Sequence, residues 1–82
     1  MIHALSFPAL QIRRQELLDE LDELEEAATE LTAELRDAVE VEADVRAERQ
    51  ERLAWLYRQQ AGILAVLSET ERALLAFSGS AA

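Results

Sequence analysis

Apolar residues recur along this 82-residue chain at alternating intervals of four and three positions, in two separate stripes. The first stripe consists of Leu17, Leu21, Leu24, Ala28, Leu31, Leu35 and Ala38. The second consists of Leu53, Leu56, Gln60, Ile63, Leu67, Thr70, Leu74 and Phe77, so it includes two polar residues. This spacing is typical of helices that bury one side in a coiled-coil seam. The pattern therefore predicts an all-α protein.

The residues around the stripes also favour helix. From Ala9 to Ala61 the chain contains neither glycine nor proline, and the strongest helix formers, Ala, Leu, Glu, Arg and Gln, dominate that span. Pro8 suits the first turn of a helix, where no amide hydrogen bond is lost, with Ser6 or Phe7 at the cap.

The apolar pattern lapses between the two stripes. Extending the first register places Glu42, Val45, Arg49 and Arg52 at core positions, and three of these four residues are charged. The chain therefore forms either an antiparallel helical hairpin with its turn near residues 40–46 or one long coiled-coil helix. The lack of Gly, Pro or Asn in this stretch favours the long helix, whereas the lapse in the core favours the hairpin, which is the preferred interpretation. In both cases the helices are expected to assemble into a larger helical bundle.

We expect a single helical domain over residues 1–82. Its predicted segments are an apolar arm at 1–7, an acidic helix at 8–41, a helix rich in arginine and aromatic residues at 46–77, and a tail at 78–82. A chain of this size gains only about 3–5 kcal/mol of stability from one core. Because it has no cysteine and one histidine, His3, self-association or a protein partner is the expected source of further burial.

Charge is segregated along the chain. Thirteen of the seventeen acidic residues lie between Glu16 and Asp44, where Arg36 is the only base. The net charge is +2 for residues 1–14, −12 for 15–44 and +1 for 45–82, and −9 overall. Two parallel copies of the acidic helix would face each other with like charges, so antiparallel pairing is favoured, within one chain or between two.

A hairpin centred near residues 43 and 44 would bring five oppositely charged pairs together. They are Glu16–Arg72, Glu30–Arg58, Glu34–Arg52, Asp37–Arg49 and Arg36–Glu51, whereas Asp19 would face the like-charged Glu69. Exposed ion pairs contribute only about 0–1 kcal/mol each. We therefore expect them to select the orientation of the helices rather than to drive folding.

The net charge and the hydropathy also limit the partners and the location. Nucleic acids and anionic membranes are polyanions, so neither is an expected ligand of an acidic chain. The longest apolar run is Ala61–Leu67, whereas a membrane-spanning helix needs roughly 20 apolar residues, and no signal peptide is recognised. A cytoplasmic protein is expected, and the lack of cysteine fits a reducing compartment.

The sequence predicts no catalytic, cofactor or metal site. Carboxylate pairs at helical spacing, such as Glu16–Glu20 and Glu30–Glu34, are expected on solvated helix faces and not in the kind of pocket that catalytic carboxylates need. His3 has no acidic residue three positions earlier, as a di-iron motif requires, and no zinc cluster or EF-hand loop is present. We therefore expect a protein that is not an enzyme.

The second helix carries more apolar surface than one seam uses. Residues 53–57 read Leu-Ala-Trp-Leu-Tyr, which is apolar around more than half of a helix. A helix that is apolar on several sides is buried in a larger bundle, and Trp and Tyr are enriched at interface hot spots. The predicted partner interface consists of Leu53, Trp55, Leu56, Tyr57, Ile63, Leu64, Leu67, Leu74, Leu75 and Phe77.

Two details of this helix stay open. One of the rings of Trp55 and Tyr57 could lie across the hairpin core instead of facing a partner. Gly62 could allow a neighbouring helix to approach closely, or could be merely tolerated at a cost of about 1 kcal/mol. Close approach is the preferred interpretation.

Together these features predict a non-enzymatic structural or assembly protein. It would be a small coiled-coil interaction module that oligomerises or docks in a larger complex, such as a phage particle or a secretion apparatus. The alternative is a small acidic binding regulator, a co-chaperone or an inhibitor, which covers a basic surface of its partner.

Overall fold

The computed structural model describes residues 6–38 and 40–80, with side chains described as far as Phe77. It contains two helices, α1 at Phe7–Asp37 and α2 at Ala43–Ser80. The two helices pack against each other in opposite directions and form a hairpin of 60 × 24 × 15 Å. The prediction of an all-α helical hairpin is confirmed, and the alternative of one long helix is wrong. Assembly into a larger bundle stays a prediction.

The first helix begins at the predicted cap. Ser6 has an extended backbone, and its hydroxyl oxygen accepts a hydrogen bond of 3.2 Å from the N–H of Ala9. Pro8 lies in the first turn, where it breaks no hydrogen bond of the helix. The cap thus satisfies an N–H that the first turn leaves without a partner within the helix. Of the predicted arm, residues 1–5 lie outside the described residues.

The first helix ends at Asp37, four residues before the predicted boundary at residue 41. Ala38 already has an extended backbone, although its N–H still donates to the carbonyl oxygen of Glu34 at 3.0 Å. The second helix begins at Ala43, where the carboxylate of Asp44 accepts a hydrogen bond of 3.0 Å from the N–H of Val45. A negative charge in a first turn also interacts favourably with the helix dipole.

Arg46 closes the turn by reaching from the start of α2 back to the end of α1. Its guanidinium donates to the carbonyl oxygen of Ala38 at 2.6 Å and to that of Leu35 at 3.4 Å. The last carbonyls of a helix have no partner within the helix, and a glycine cap often satisfies them. Here an arginine does so, which explains how the chain turns without the glycine, proline or asparagine that the sequence lacks.

The second helix is longer than predicted. It starts three residues before the expected boundary at residue 46 and continues to Ser80, past the predicted end at residue 77. Residues 78–80 of the predicted tail therefore belong to the helix, and residues 81–82 lie outside the described residues.

The core is the seam between the two predicted stripes. The buried apolar residues are Leu10, Leu17, Leu21, Ala28, Leu31, Leu56 and Leu67. All of them except Leu10 belong to a predicted stripe. Thr70 is buried as well, and its hydroxyl donates to the carbonyl oxygen of Val66 at 2.9 Å, so the polar group costs little at a seam position.

The charges across the seam pair differently from the prediction. Among residues 6–38 and 40–80, the ion pair that joins the two helices is Arg14–Glu71, with Nε and Oε2 3.3 Å apart, and none of the five predicted pairs comes within 4.0 Å. The rings of Phe7 and Phe77 also meet, with centroids 5.7 Å apart. These contacts centre the hairpin near residue 42, one to two residues before the predicted centre. The antiparallel orientation is as expected, but the small shift changes which side chains face each other.

Candidate protein interaction surfaces

The ten residues of the predicted interface occupy three environments. Leu56 and Leu67 are buried in the seam against α1, so in this hairpin they are not open to a partner. Three residues border the seam and are half-buried, namely Leu53, Ile63 and Leu74. The other five are exposed, namely Trp55, Tyr57, Leu64, Leu75 and Phe77.

Neither large ring lies across the hairpin core. Trp55 is 46% exposed and Tyr57 is 52% exposed, while Leu56 between them is only 4% exposed. Successive residues of a helix project about 100° apart, so the two neighbours of an inward-facing residue emerge on opposite sides of the seam. The rings therefore mark two different surfaces of the hairpin, which we call the Tyr57 face and the Trp55 face.

The Tyr57 face is largely uncharged. On α2 it consists of Tyr57, Ala61, Leu64, Ser68, Glu71 and Leu75, and on α1 of Gln11, Gln15, Leu18, Asp22, Glu25, Thr29, Thr32 and Arg36. A shallow groove runs between Tyr57 and the threonines of α1, and another runs between Leu75 and the glutamines. Glu71 forms an ion pair with Arg14, so one of the few charges on this face is neutralised.

The Trp55 face is strongly acidic. On α1 it consists of Glu16, Glu20, Glu23, Ala27, Glu30 and Glu34, and on α2 of Arg52, Trp55, Gln59, Gly62 and Val66. Trp55 and Gln59 line a groove with Glu20 and Glu23. Within the described part of the chain, Glu16 lies 3.9 Å from Arg13, whereas the other four glutamates have no ion pair within 4.0 Å. This face therefore carries a row of largely uncompensated negative charge.

Gly62 makes no close contact within the hairpin. A Cβ atom placed on this residue would have no heavy atom within 4 Å. The close approach of a helix that the sequence favoured is therefore not made by α1. Close approach of a helix from another chain at Gly62 stays a prediction.

No group of three or more Asp, Glu, His or Cys residues among the described residues is placed to hold a metal ion, and His3 lies outside the described part of the chain. In the same part of the chain, neither helix has an apolar stretch long enough to cross a membrane. The described part of the molecule presents two surfaces of different character, the Tyr57 face and the Trp55 face.

The predicted interface lies wholly on α2, whereas each of the two faces of the hairpin also includes residues of α1. The difference between the two faces is visible in the sequence, in the residues that flank the first stripe. On one flank they are mainly Gln and Thr, and on the other they are mainly Glu.

Comparisons with protein families, with curated proteins and with solved structures find no match to this chain.

Proposed function

We propose that this protein is a non-enzymatic assembly module, a helical hairpin that binds another protein chain through the exposed apolar residues of α2. One observation carries the proposal. Among the described residues, eight large apolar side chains are exposed and only seven apolar residues are buried. The exposed ones are Phe7, Ile12, Trp55, Tyr57, Leu64, Val66, Leu75 and Phe77. Six of these eight lie on α2.

The fold supports this proposal because two helices cannot bury more than one stripe of each other. A hairpin leaves most of the circumference of both helices in solvent, and a core of this size gives only about 3–5 kcal/mol of stability. Apolar residues outside the seam gain burial only from another chain. We place the module in the cytoplasm, within a larger complex such as a phage particle or a secretion apparatus.

A pull-down from an extract of the native host tests this function. The bait would be the full chain, compared with Tyr57→Glu/Leu64→Glu, with Trp55→Glu/Val66→Glu and with the control Ala65→Glu, which changes an exposed residue away from both faces. Circular dichroism would verify that each variant is helical. We expect the wild type and the control to retain a bound protein, which can be a second copy of this chain, and we expect one of the two double variants to lose it. Equal recovery by every bait would contradict the proposal.

A second candidate is the acidic regulator, which the row of unpaired glutamates on the Trp55 face favours. A field of this kind speeds association with a basic partner, and the affinity falls with salt. The same pull-down with Glu20→Gln/Glu23→Gln/Glu30→Gln separates the two candidates. Loss of the partner by this variant, with the apolar variants unaffected, would favour the regulator over the assembly module.

A further inference from the structure

The second helix carries another series with coiled-coil spacing, on the Tyr57 face. Its members follow one another at intervals of four, three, four, three and four, and they are Tyr57, Ala61, Leu64, Ser68, Glu71 and Leu75. All six are exposed in the hairpin. Alternation of four and three keeps side chains on the stripe that one helix presents to another. Because α1 covers the first stripe of α2, this second stripe is open to a further helix.

The series complements itself when it is read in the opposite direction. About a point near Val66, the series gives three facing pairs, which are Tyr57–Leu75, Leu64–Ser68 and Ala61–Glu71. Two α2 helices related by a two-fold axis at that point would therefore place a larger side chain against a smaller one in each pair. The pair Ala61–Glu71 includes a charge, and each Glu71 has Arg14 of its own chain 3.3 Å away. Self-complementarity of one surface patch is what a two-fold interface requires, and alternation of size lets facing layers interdigitate.

Charge determines which face can accept a second copy. On the Trp55 face, the flank of α1 holds five glutamates, and two copies meeting there would confront one acidic row with another. On the Tyr57 face, the corresponding flank holds two acids, Asp22 and Glu25, and one base, Arg36, among Gln, Thr and Leu. The charge of Glu71 on α2 is already matched by Arg14 at 3.3 Å. Like-charge repulsion thus disfavours the first arrangement and leaves the second open.

The position of the axis also separates the acids of the two copies. Because Arg14 lies beside Glu71, a two-fold axis near residue 66 of α2 passes close to residues 18 and 19 of α1. Half-buried Leu18 then lies near its own copy. Asp22 is brought toward Gln15, and Glu25 toward Gln11, so each acid meets an amide.

The available area suffices for a stable dimer. With the axis near residue 66, about 14 residues of α2 on each side of it overlap with the second copy, a length of about 42 Å at 1.5 Å per residue. Over the 24 Å width of the hairpin, this overlap still exceeds the roughly 800 Å² per partner that a standard stable interface buries. We propose that the Tyr57 face is covered by a second copy of this chain, with the two α2 helices antiparallel about a two-fold axis near Val66. The result is a four-helix bundle whose acidic faces point outward. This inference rests on the proposed function and names its partner.

Sedimentation velocity of the purified full chain, across about 1 to 500 μM, tests for the dimer. We expect a reversible dimer. We expect Leu64→Glu to raise the dissociation constant of this dimer at least about 30-fold, because the change buries a charge in the interface. Val66→Glu is the matched control, since it changes an exposed apolar residue two positions away on the other face, and we expect a change below about 3-fold. A chain that is monomeric throughout, or a dimer broken by Val66→Glu but not by Leu64→Glu, would overturn the proposal.

Cysteine pairing tests the register, and the chain has no cysteine of its own to interfere. Leu64→Cys and Ser68→Cys chains would be mixed in equal amounts and oxidised, since a disulfide needs Cα atoms within about 7 Å. We expect the mixed disulfide between the two variants to dominate. Predominance of Leu64→Cys homodimers would indicate parallel helices and would overturn the antiparallel arrangement.

The two proposals can fail separately. A purified chain that stays monomeric, combined with loss of a different host protein by Tyr57→Glu/Leu64→Glu, would overturn the dimer and support the assembly function. Equal recovery of all host proteins by every bait, together with a monomeric chain, would overturn both.

Discussion

Burial of individual side chains in this protein follows their position around the helix and not their size. Leu17 is 2% exposed, whereas the much larger Trp55 is 46% exposed. A neighbouring helix covers only one stripe, so a residue one step away along the chain is left at the edge of the contact. The sequence identifies the stripe. It does not reveal that both rings beside Leu56 stay outside it, because either could lie over the seam if the helices were rotated slightly.

Gly62 gives a prediction at this scale. Its missing Cβ would meet only open space, and glycine inside a helix costs about 1 kcal/mol relative to alanine. We therefore expect Gly62→Ala to raise the free energy of unfolding by about 1 kcal/mol, as measured by urea denaturation. Ala65→Gly, on the exposed side of the same helix, is the control and should lower it by a similar amount. Destabilisation by Gly62→Ala would mean that the position is closely packed after all.

At the scale of the helices, the boundaries depend on a contact between them. The helix-favouring residues continue past Asp37, yet α1 ends there because the turn is fixed by Arg46 on the carbonyl oxygens of Leu35 and Ala38. These partners lie eleven and eight positions before Arg46 in the sequence. Local propensity does not report such a contact, which explains why the predicted boundary at residue 41 came too late.

Removal of this arginine tests its role. We expect Arg46→Ala to lower the free energy of unfolding by about 1–2 kcal/mol, since two hydrogen bonds from a charged donor are lost at the end of α1. Hydrogen exchange should become faster in the last turn of α1 and change less in the first. Arg58→Ala, which changes an exposed arginine in the middle of α2, is the control. Equal effects of the two changes would show that Arg46 does not hold the turn.

At the scale of the whole molecule, the hairpin sets a strongly acidic helix against a nearly neutral one. The described residues include a single ion pair between the helices, Arg14–Glu71, so attraction across the seam contributes little. We expect repulsion among the glutamates along the Trp55 face to be the larger electrostatic effect. Excess charge of one sign destabilises a compact state through self-repulsion.

Salt is therefore expected to stabilise the hairpin. Raising the salt concentration from about 0.01 M to about 0.15 M shortens the screening length from about 30 Å to about 8 Å. We expect the melting temperature to rise by about 2–4 °C, measured by circular dichroism at low protein concentration to limit association. Glu20→Gln/Glu23→Gln/Glu30→Gln should show a smaller rise. A fall in melting temperature with salt would mean that attractive ion pairs outweigh repulsion.

The sequence by itself determined the helices, the residues of the seam and the antiparallel preference, because 4-3 spacing and one-signed charge act locally along each helix. Only the tertiary structure decided the register, the turn and the division of α2 into a buried stripe and two exposed faces. Those features depend on where one helix stops and how it is rotated against the other. A shift of one or two residues, too small for any local pattern to specify, replaced the five predicted ion pairs with Arg14–Glu71. The rotation of α2 that buries Leu56 placed Trp55 and Tyr57 on opposite faces.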